Sequence, residues 1–189
     1  QSIGTAGDWD TTSNVSIASS VTTPTDLGNY YWESNSSNSN LSLTDGYILP
    51  TESDFTLSMW VNPDSLSTTE DLINRTYDGG FPDPSKENGN QISLMSNGTN
   101  IYVNLSSTGT TLNANATHGM STGNWYNIVQ TFDRSAGETK IYINNVLKLT
   151  EQDDGAKDKT MDQDNWSAVN TGGGDDSFDG QTMEFTTWN

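Results

Sequence analysis

The sequence predicts an all-β fold, an antiparallel two-sheet β-sandwich or jelly roll. Three observations carry that prediction. Apolar residues alternate with polar ones over short runs, and no stretch repeats at i, i+3, i+4 and i+7 through three helical turns. The polarity comes from 23 Ser, 26 Thr and 21 Asn rather than from charge. Thr favours strands, while Ser and Asn suit turns. Turn pairs such as Asp45-Gly46, Asn97-Gly98 and Asn144-Asn145 fall between the alternating runs.

Taken in order, residues 1–24 are rich in Ser and Thr, with Val15, Ile17 and Val21 on one alternating face. They read as an N-terminal arm, and residues 25–189 as a single domain. Phe55, Leu57 and Met59 alternate with Thr56, Ser58 and Trp60. Gln91–Ser96 and Asn100–Leu105 flank Asn97-Gly98-Thr99 as a hairpin, with Gly available for positive φ. Ile128, Gln130 and Phe132 share a face opposite Val129 and Thr131. Thr139–Ile143 and Val146–Thr150 flank Asn144-Asn145 as a second hairpin, because Asn tolerates left-handed φ. The expected core is therefore Phe55, Leu57, Met59, Ile128 or Val129, Phe132, Ile141 and Ile143. Trp60, Trp125, Tyr142 and Trp188 are expected to pack in that core or at its edge. Residues 74–90 and the acidic stretch 151–176 read as long loops.

Composition bounds the function. At 189 residues one domain is the natural count, large enough for a core without staples. Leu, Ile, Val and Phe number only 33, a share that suggests disorder when net charge is high. A charged fraction of 17% and 6 Trp, 7 Tyr and 5 Phe argue for a folded chain instead. There is no cysteine, so no disulfide framework and no thiolate metal site. Seven basic against 25 acidic residues give −18, which argues against nucleic acid and anionic membranes as partners. No run of 18 apolar residues is present to span a membrane as a helix. The first residue is Gln1, so either a leader has been removed or the chain is a piece of something longer. The Ser/Thr/Asn-rich, cysteine-free composition is expected of an extracellular protein or one on a cell or virion surface.

Several motifs resemble a known family. Phe55-Thr56-Leu57-Ser58-Met59-Trp60-Val61-Asn62-Pro63 resembles the first core strand of laminin-G-like domains in the concanavalin A-like lectin/glucanase superfamily. Trp125 to Asp133, followed by Lys140-Ile141-Tyr142-Ile143-Asn144-Asn145, resembles that family's central hairpin, with Asn145 where the family usually has Gly. Asp45-Gly46-Tyr47-Ile48-Leu49-Pro50 resembles its leading strand. Phe178-Asp179-Gly180 and the run to Trp188-Asn189 resemble its closing strand, with Thr182 and Met183 replacing the usual Ile-Asp pair. The resemblance covers residues 41–189 and implies two antiparallel sheets packed face to face.

The glycosidases of that superfamily present carboxylates from one strand as Glu-x-Asp-x-Glu or Glu-x-Asp-x-x-Glu, which this sequence lacks. Glu52-Ser53-Asp54 has no third member. His118, the only histidine, reads as a solvated loop residue. No enzyme activity is expected. Calcium is the expected ion, since hard cations want clustered oxygens and the family often carries calcium at a sandwich rim. Its candidate ligands are Asp153, Asp154, Asp162, Asp164, Asp175 and Asp176, with Asp158 and Asp179 nearby. Tyr30, Tyr31, Trp32, Tyr77 and Trp166 sit in polar settings and are the candidate rings for stacking on sugars. Asn-x-Ser/Thr sequons fall at Asn14, Asn35, Asn40, Asn74, Asn97, Asn104, Asn115 and Asn165.

Three roles fit this reading. The first is a structural subunit that assembles into a homopolymer, with the arm strand of Val15, Ile17 and Val21 added to a neighbouring copy. The arm pairing as an edge strand in its own subunit is the opposed expectation. The second role is a carbohydrate-binding module, with glycans as partners. The third is an adhesion domain.

Overall fold

The structure, a computed structural model, describes residues 9–11, 15–19, 30–34, 41–43, 53–67, 69–74, 90–94, 98–107, 110–158, 167–169 and 178–189. Strands are numbered in chain order. One sheet runs, edge to edge, through β1 (Trp9–Thr11), β4 (Leu41–Leu43), β13 (Ser167–Val169), β6 (Glu70–Asn74), β7 (Asn90–Leu94), β8 (Asn100–Ser107) and β9 (Thr110–Thr117). The other runs through β12 (Val146–Gln152), β11 (Glu138–Ile143), β10 (Tyr126–Asp133), β5 (Phe55–Pro63), β14 (Gly180–Trp188), β3 (Tyr30–Ser34) and β2 (Val15–Ser19). Every pairing among the described strands is antiparallel. The architecture is the all-β sandwich that the alternation predicts.

The core lies between the two sheets and follows the period of two. Phe55, Leu57, Met59 and Val61 of β5 are buried, as are Ile128, Gln130 and Phe132 of β10 and Ile141 and Ile143 of β11. Ile92, Ile101, Val103, Leu105 and Leu112 answer them from the first sheet. Ile128 takes the core position, and Val129 lies on the outer face, half-buried. Each such aliphatic or aromatic side chain contributes roughly 1.5–3 kcal/mol on leaving water. The polar member of the row is satisfied: Gln130 Nε2 donates to Thr139 Oγ1 at 3.1 Å, and Thr139 Oγ1 donates to the Thr131 carbonyl at 3.1 Å.

The strands of both expected hairpins pair: β7 meets β8 in the register Asn90↔Leu105 to Leu94↔Ile101, with Asn97 outside the described residues. β11 and β12 meet at Asn144 and Asn145, with φ of 50° and 64°. Two consecutive left-handed residues make the tight turn whose twist suits a hairpin. Asn144 also ties the turn to β10: its Oδ1 accepts the Asn127 N–H at 2.9 Å.

Residues 1–24 contribute to both sheets of their own chain. β1 pairs with β4, and β2 pairs with β3 in the register Val15↔Ser34 to Ser19↔Tyr30. Val15 and Ile17 thus stand in an edge strand within the subunit, the second of the two outcomes weighed for the arm; Val21 lies outside the described residues.

His118 corrects the sequence reading. It is buried, at 2% exposure, behind the end of β9. Its Nδ1 accepts the Met120 main-chain N–H at 2.8 Å, and the His118 main-chain N–H donates to the Thr99 carbonyl at 2.8 Å. The surrounding Ala-Thr-His-Gly reads as a loop, but the turn of the β7–β8 hairpin covers it.

Candidate functional site

On the first sheet, the outer face of β8 and β9 is a polar ladder. Asn113 Nδ2 donates to Tyr102 Oη at 2.8 Å, and Asn100 Nδ2 donates to Asn115 Oδ1 at 2.9 Å. These groups spend hydrogen bonds on one another. The sequons at Asn104 and Asn115 stand in these two strands and that at Asn74 in β6. Those at Asn14, Asn35, Asn40, Asn97 and Asn165 lie outside the described residues.

The other sheet carries a groove of about 430 Å³ on its outer face, where β5 begins and β10 and β14 end. Beneath it the Phe55 and Phe132 rings, partners in register, lie 5.5 Å apart and tilted by 37°. Trp188 and Tyr142 form its aromatic wall, with Thr56 and Thr131 between them. Asp54, Asp133, Glu138 and Lys140 supply the charge.

Each of the two Asp carboxylates is fixed through one oxygen. Asp54 Oδ1 accepts the Arg134 N–H at 2.9 Å. Asp133 Oδ1 accepts the Ala136 N–H at 2.9 Å and the Ser135 hydroxyl at 2.8 Å. Those bonds, the Ala136 amide first, hold the Asp133 carboxyl below its usual range. In each carboxylate Oδ1 is the oxygen that accepts these bonds. Lys140 is paired with Glu138, whose hydrogen bond pushes the ammonium further toward its charged form. The groove therefore presents two fixed acceptor oxygens and an excess of negative charge beside two rings.

The sequence predicts Trp188 in the core or at its edge; the structure leaves it 47% exposed. The cause is a bulge in β14. Thr182 pairs with Val61 and Thr187 with Leu57, so five steps on β14 match four on β5. Glu184, within that stretch, has φ of 50°. The extra residue flips the parity, so Thr187 faces the core and Trp188 faces out. Tyr142 also faces out, as strict alternation between Ile141 and Ile143 requires, and Trp60 does the same between Met59 and Val61.

The expected sugar-stacking rings fare differently. Trp32 packs against the core, because β3 pairs it with the buried Thr182. Tyr31 meets Trp125 edge to face at 6.1 Å. Tyr30 stands in β3 at the partner position of Ser19, while Tyr77 and Trp166 lie outside the described residues.

Of the six expected calcium ligands, Asp153 and Asp154 are described. Asp153 caps a short 3-10 turn by accepting the Gly155 N–H at 2.7 Å, and Asp154 pairs with Lys157 at 2.7 Å. Asp162, Asp164, Asp175 and Asp176 lie outside the described residues. Among the described residues no three His, Asp or Glu side chains converge as a metal set, so Asp153 and Asp154 do not by themselves fit calcium. A separate carboxylate crowding occurs at the other end of β5. The Asp64 N–H donates to the Asp179 carbonyl at 2.8 Å, and burial, then the charges of Asp179 and Glu33, push the Asp64 carboxyl above its usual range.

A sequence profile of a laminin-G family, described as concanavalin A-like lectin/glucanases superfamily, matches residues 35–189. The chain belongs to this family. No curated protein sequence matches it. Among solved structures, the concanavalin A-like sandwich is similar to the botulinum neurotoxin serotype D binding domain, with 15% identity and a TM-score of 0.64, over 95% of this chain and 42% of that one. It therefore spans under half of that chain. It is also similar to domain 4 of AbnA, an extracellular arabinanase of Geobacillus stearothermophilus solved with arabinotriose. There the identity is 21% and the TM-score 0.59, over 95% and 81% of the two chains. The carbohydrate-binding module CBM66 of Bacillus subtilis is 14% identical, with a TM-score of 0.54 and 96% of each chain covered. These likenesses concern the fold.

Proposed function

We propose that this chain is an extracellular carbohydrate-binding module that holds a glycan without cleaving it. The observation that carries the reading is the groove in which exposed Trp188 stands beside Tyr142, Thr56, Thr131 and the two fixed Asp carboxylates. An aromatic face is apolar and matches the C–H face of a sugar ring, while fixed polar groups at its rim take the hydroxyls. The polar ladder on the opposite sheet fits less well, because its amides already bond one another. The sugar-binding modules among the similar folds support the same reading.

Cleavage of a glycosidic bond needs one carboxyl kept protonated as a general acid. The hydrogen bonds on Asp133 hold that group ionised instead. Assembly into a homopolymer has less to support it, since the arm strand Val15–Ser19 is already paired with β3. The test is a glycan array probed with the full chain, followed by an assay for new reducing ends on whatever is bound. Binding without product is expected. An empty array, or sustained release of product, would reject the reading.

A further inference from the structure

We propose that the groove is selective for neutral glycans, taking hydroxyl donors on Asp54 and Asp133 with a sugar ring laid on Trp188, and that it turns away uronate, sialylated and sulfated chains. This rests on the reading of the groove as a glycan site and adds the class of ligand.

The chemistry of the wall dictates the class. Ionised carboxylates only accept hydrogen bonds, so their free oxygens call for donors, and a sugar hydroxyl is one. Hydrogen bonds to a charged acceptor are shorter and about twice as strong as neutral ones. Because Oδ1 of each Asp is held by a main-chain N–H, the remaining oxygens are positioned before the ligand arrives. An anionic sugar would need a free cation here. Among the described residues, Lys140 is the one cationic side chain lining the groove, and Glu138 already occupies it. The chain as a whole carries −18, so long-range electrostatics also repel acidic polysaccharides. The groove thus combines an apolar platform with acceptors, and among the described residues it presents no unengaged cation.

The experiment measures affinity of the full chain for two sets of oligosaccharides at 50 mM and 500 mM salt. The neutral set is cellohexaose, laminarihexaose, xylohexaose and arabinohexaose. The acidic set is hexagalacturonate, a heparin hexasaccharide and sialyllactose. At least one neutral glycan should bind at least tenfold more tightly than any acidic one at low salt, with the gap narrowing at high salt as charges are screened. Trp188→Ala should cost at least tenfold on the neutral ligand. Asp54→Asn with Asp133→Asn keeps an acceptor oxygen at each site; it should weaken neutral binding several-fold and narrow the discrimination against acidic chains. Trp188→Ala should melt with the parent, while the Asn pair, which trades charge-assisted hydrogen bonds for neutral ones, should melt a few degrees lower, so binding is compared below both transitions.

Equal or tighter binding of an acidic glycan by the parent overturns the selectivity and leaves the glycan-binding reading standing. Neutral binding untouched by both variants overturns the placement in this groove. No binding to either set removes the functional reading, and this inference with it.

Discussion

Asp54 and Arg134 lie 80 residues apart in the chain, yet the Asp54 carboxylate accepts the Arg134 main-chain N–H at 2.9 Å. The bond ties the start of β5 to the turn after β10, the two segments that frame the groove. Asp54→Ala should therefore cost about 1 kcal/mol, the net worth of one hydrogen bond, and lower the melting temperature by about 2–4 °C. It should weaken glycan binding in parallel. Thermal denaturation and titration calorimetry on the same samples check both halves.

Gln130 and Thr139 form a buried polar pair inside an otherwise apolar row. Each residue loses one buried hydrogen bond when the other is replaced, so Gln130→Leu or Thr139→Val alone should cost about 1–3 kcal/mol. The double variant should cost less than the sum of the two, because the shared bond is lost only once. A double-mutant cycle by urea unfolding measures the coupling, and strict additivity would show that the pair is not a unit.

His118 should make stability fall on acidification. Burial first, then the nearby Lys148 ammonium, lowers its pKa from 6.5, with the Gly98 carbonyl acting in the opposite sense. The unfolded chain then binds the proton more readily than the folded one as pH drops below about 6.5. Stability present above that pH is lost as pH falls toward the folded-state value. His118→Gln should flatten this segment of the curve of unfolding free energy against pH, whatever it does to the plateau. Parallel slopes for variant and parent would contradict the burial.

Asn145 holds φ of 64°, a conformation that costs an ordinary side chain roughly 1–2 kcal/mol. Asn145→Val should destabilise by that order, while Asn145→Gly should be neutral or slightly stabilising. Chemical denaturation of the two variants gives the comparison.

The parts of the fold that the sequence shows are those set by period two. The inward rows of β5, β10 and β11 follow from Phe55, Ile128 and Ile141 with their neighbours, and the Asn144-Asn145 turn from its residue types. Tyr142, expected in the core or at its edge, stands on the outer face, where the same alternation puts it. The outward Trp188 is not legible, because a single left-handed Glu184 shifts the register of β14, and nothing in Met183-Glu184-Phe185 signals a bulge. The burial of His118 and the packing of Trp32 are hidden for a related reason. Their polar neighbours suggest solvent, whereas a distant hairpin turn covers one and the paired strand β14 carries the other onto the core. The groove was missed because it needs the start of one strand and the ends of two others, brought together only by the pairing of β5 with β10 and β14.

The most direct measurement is two-dimensional amide NMR of the full chain titrated with its tightest neutral oligosaccharide. The Trp188 indole N–H, assigned by its loss in Trp188→Ala, should shift most, together with the main-chain amides of Thr56, Thr131 and Tyr142. The amides of Tyr102, Asn113 and Asn115 on the opposite sheet should stay in place. Shifts confined to that opposite face, with the Trp188 indole unmoved, would contradict the assignment of the groove as the glycan site.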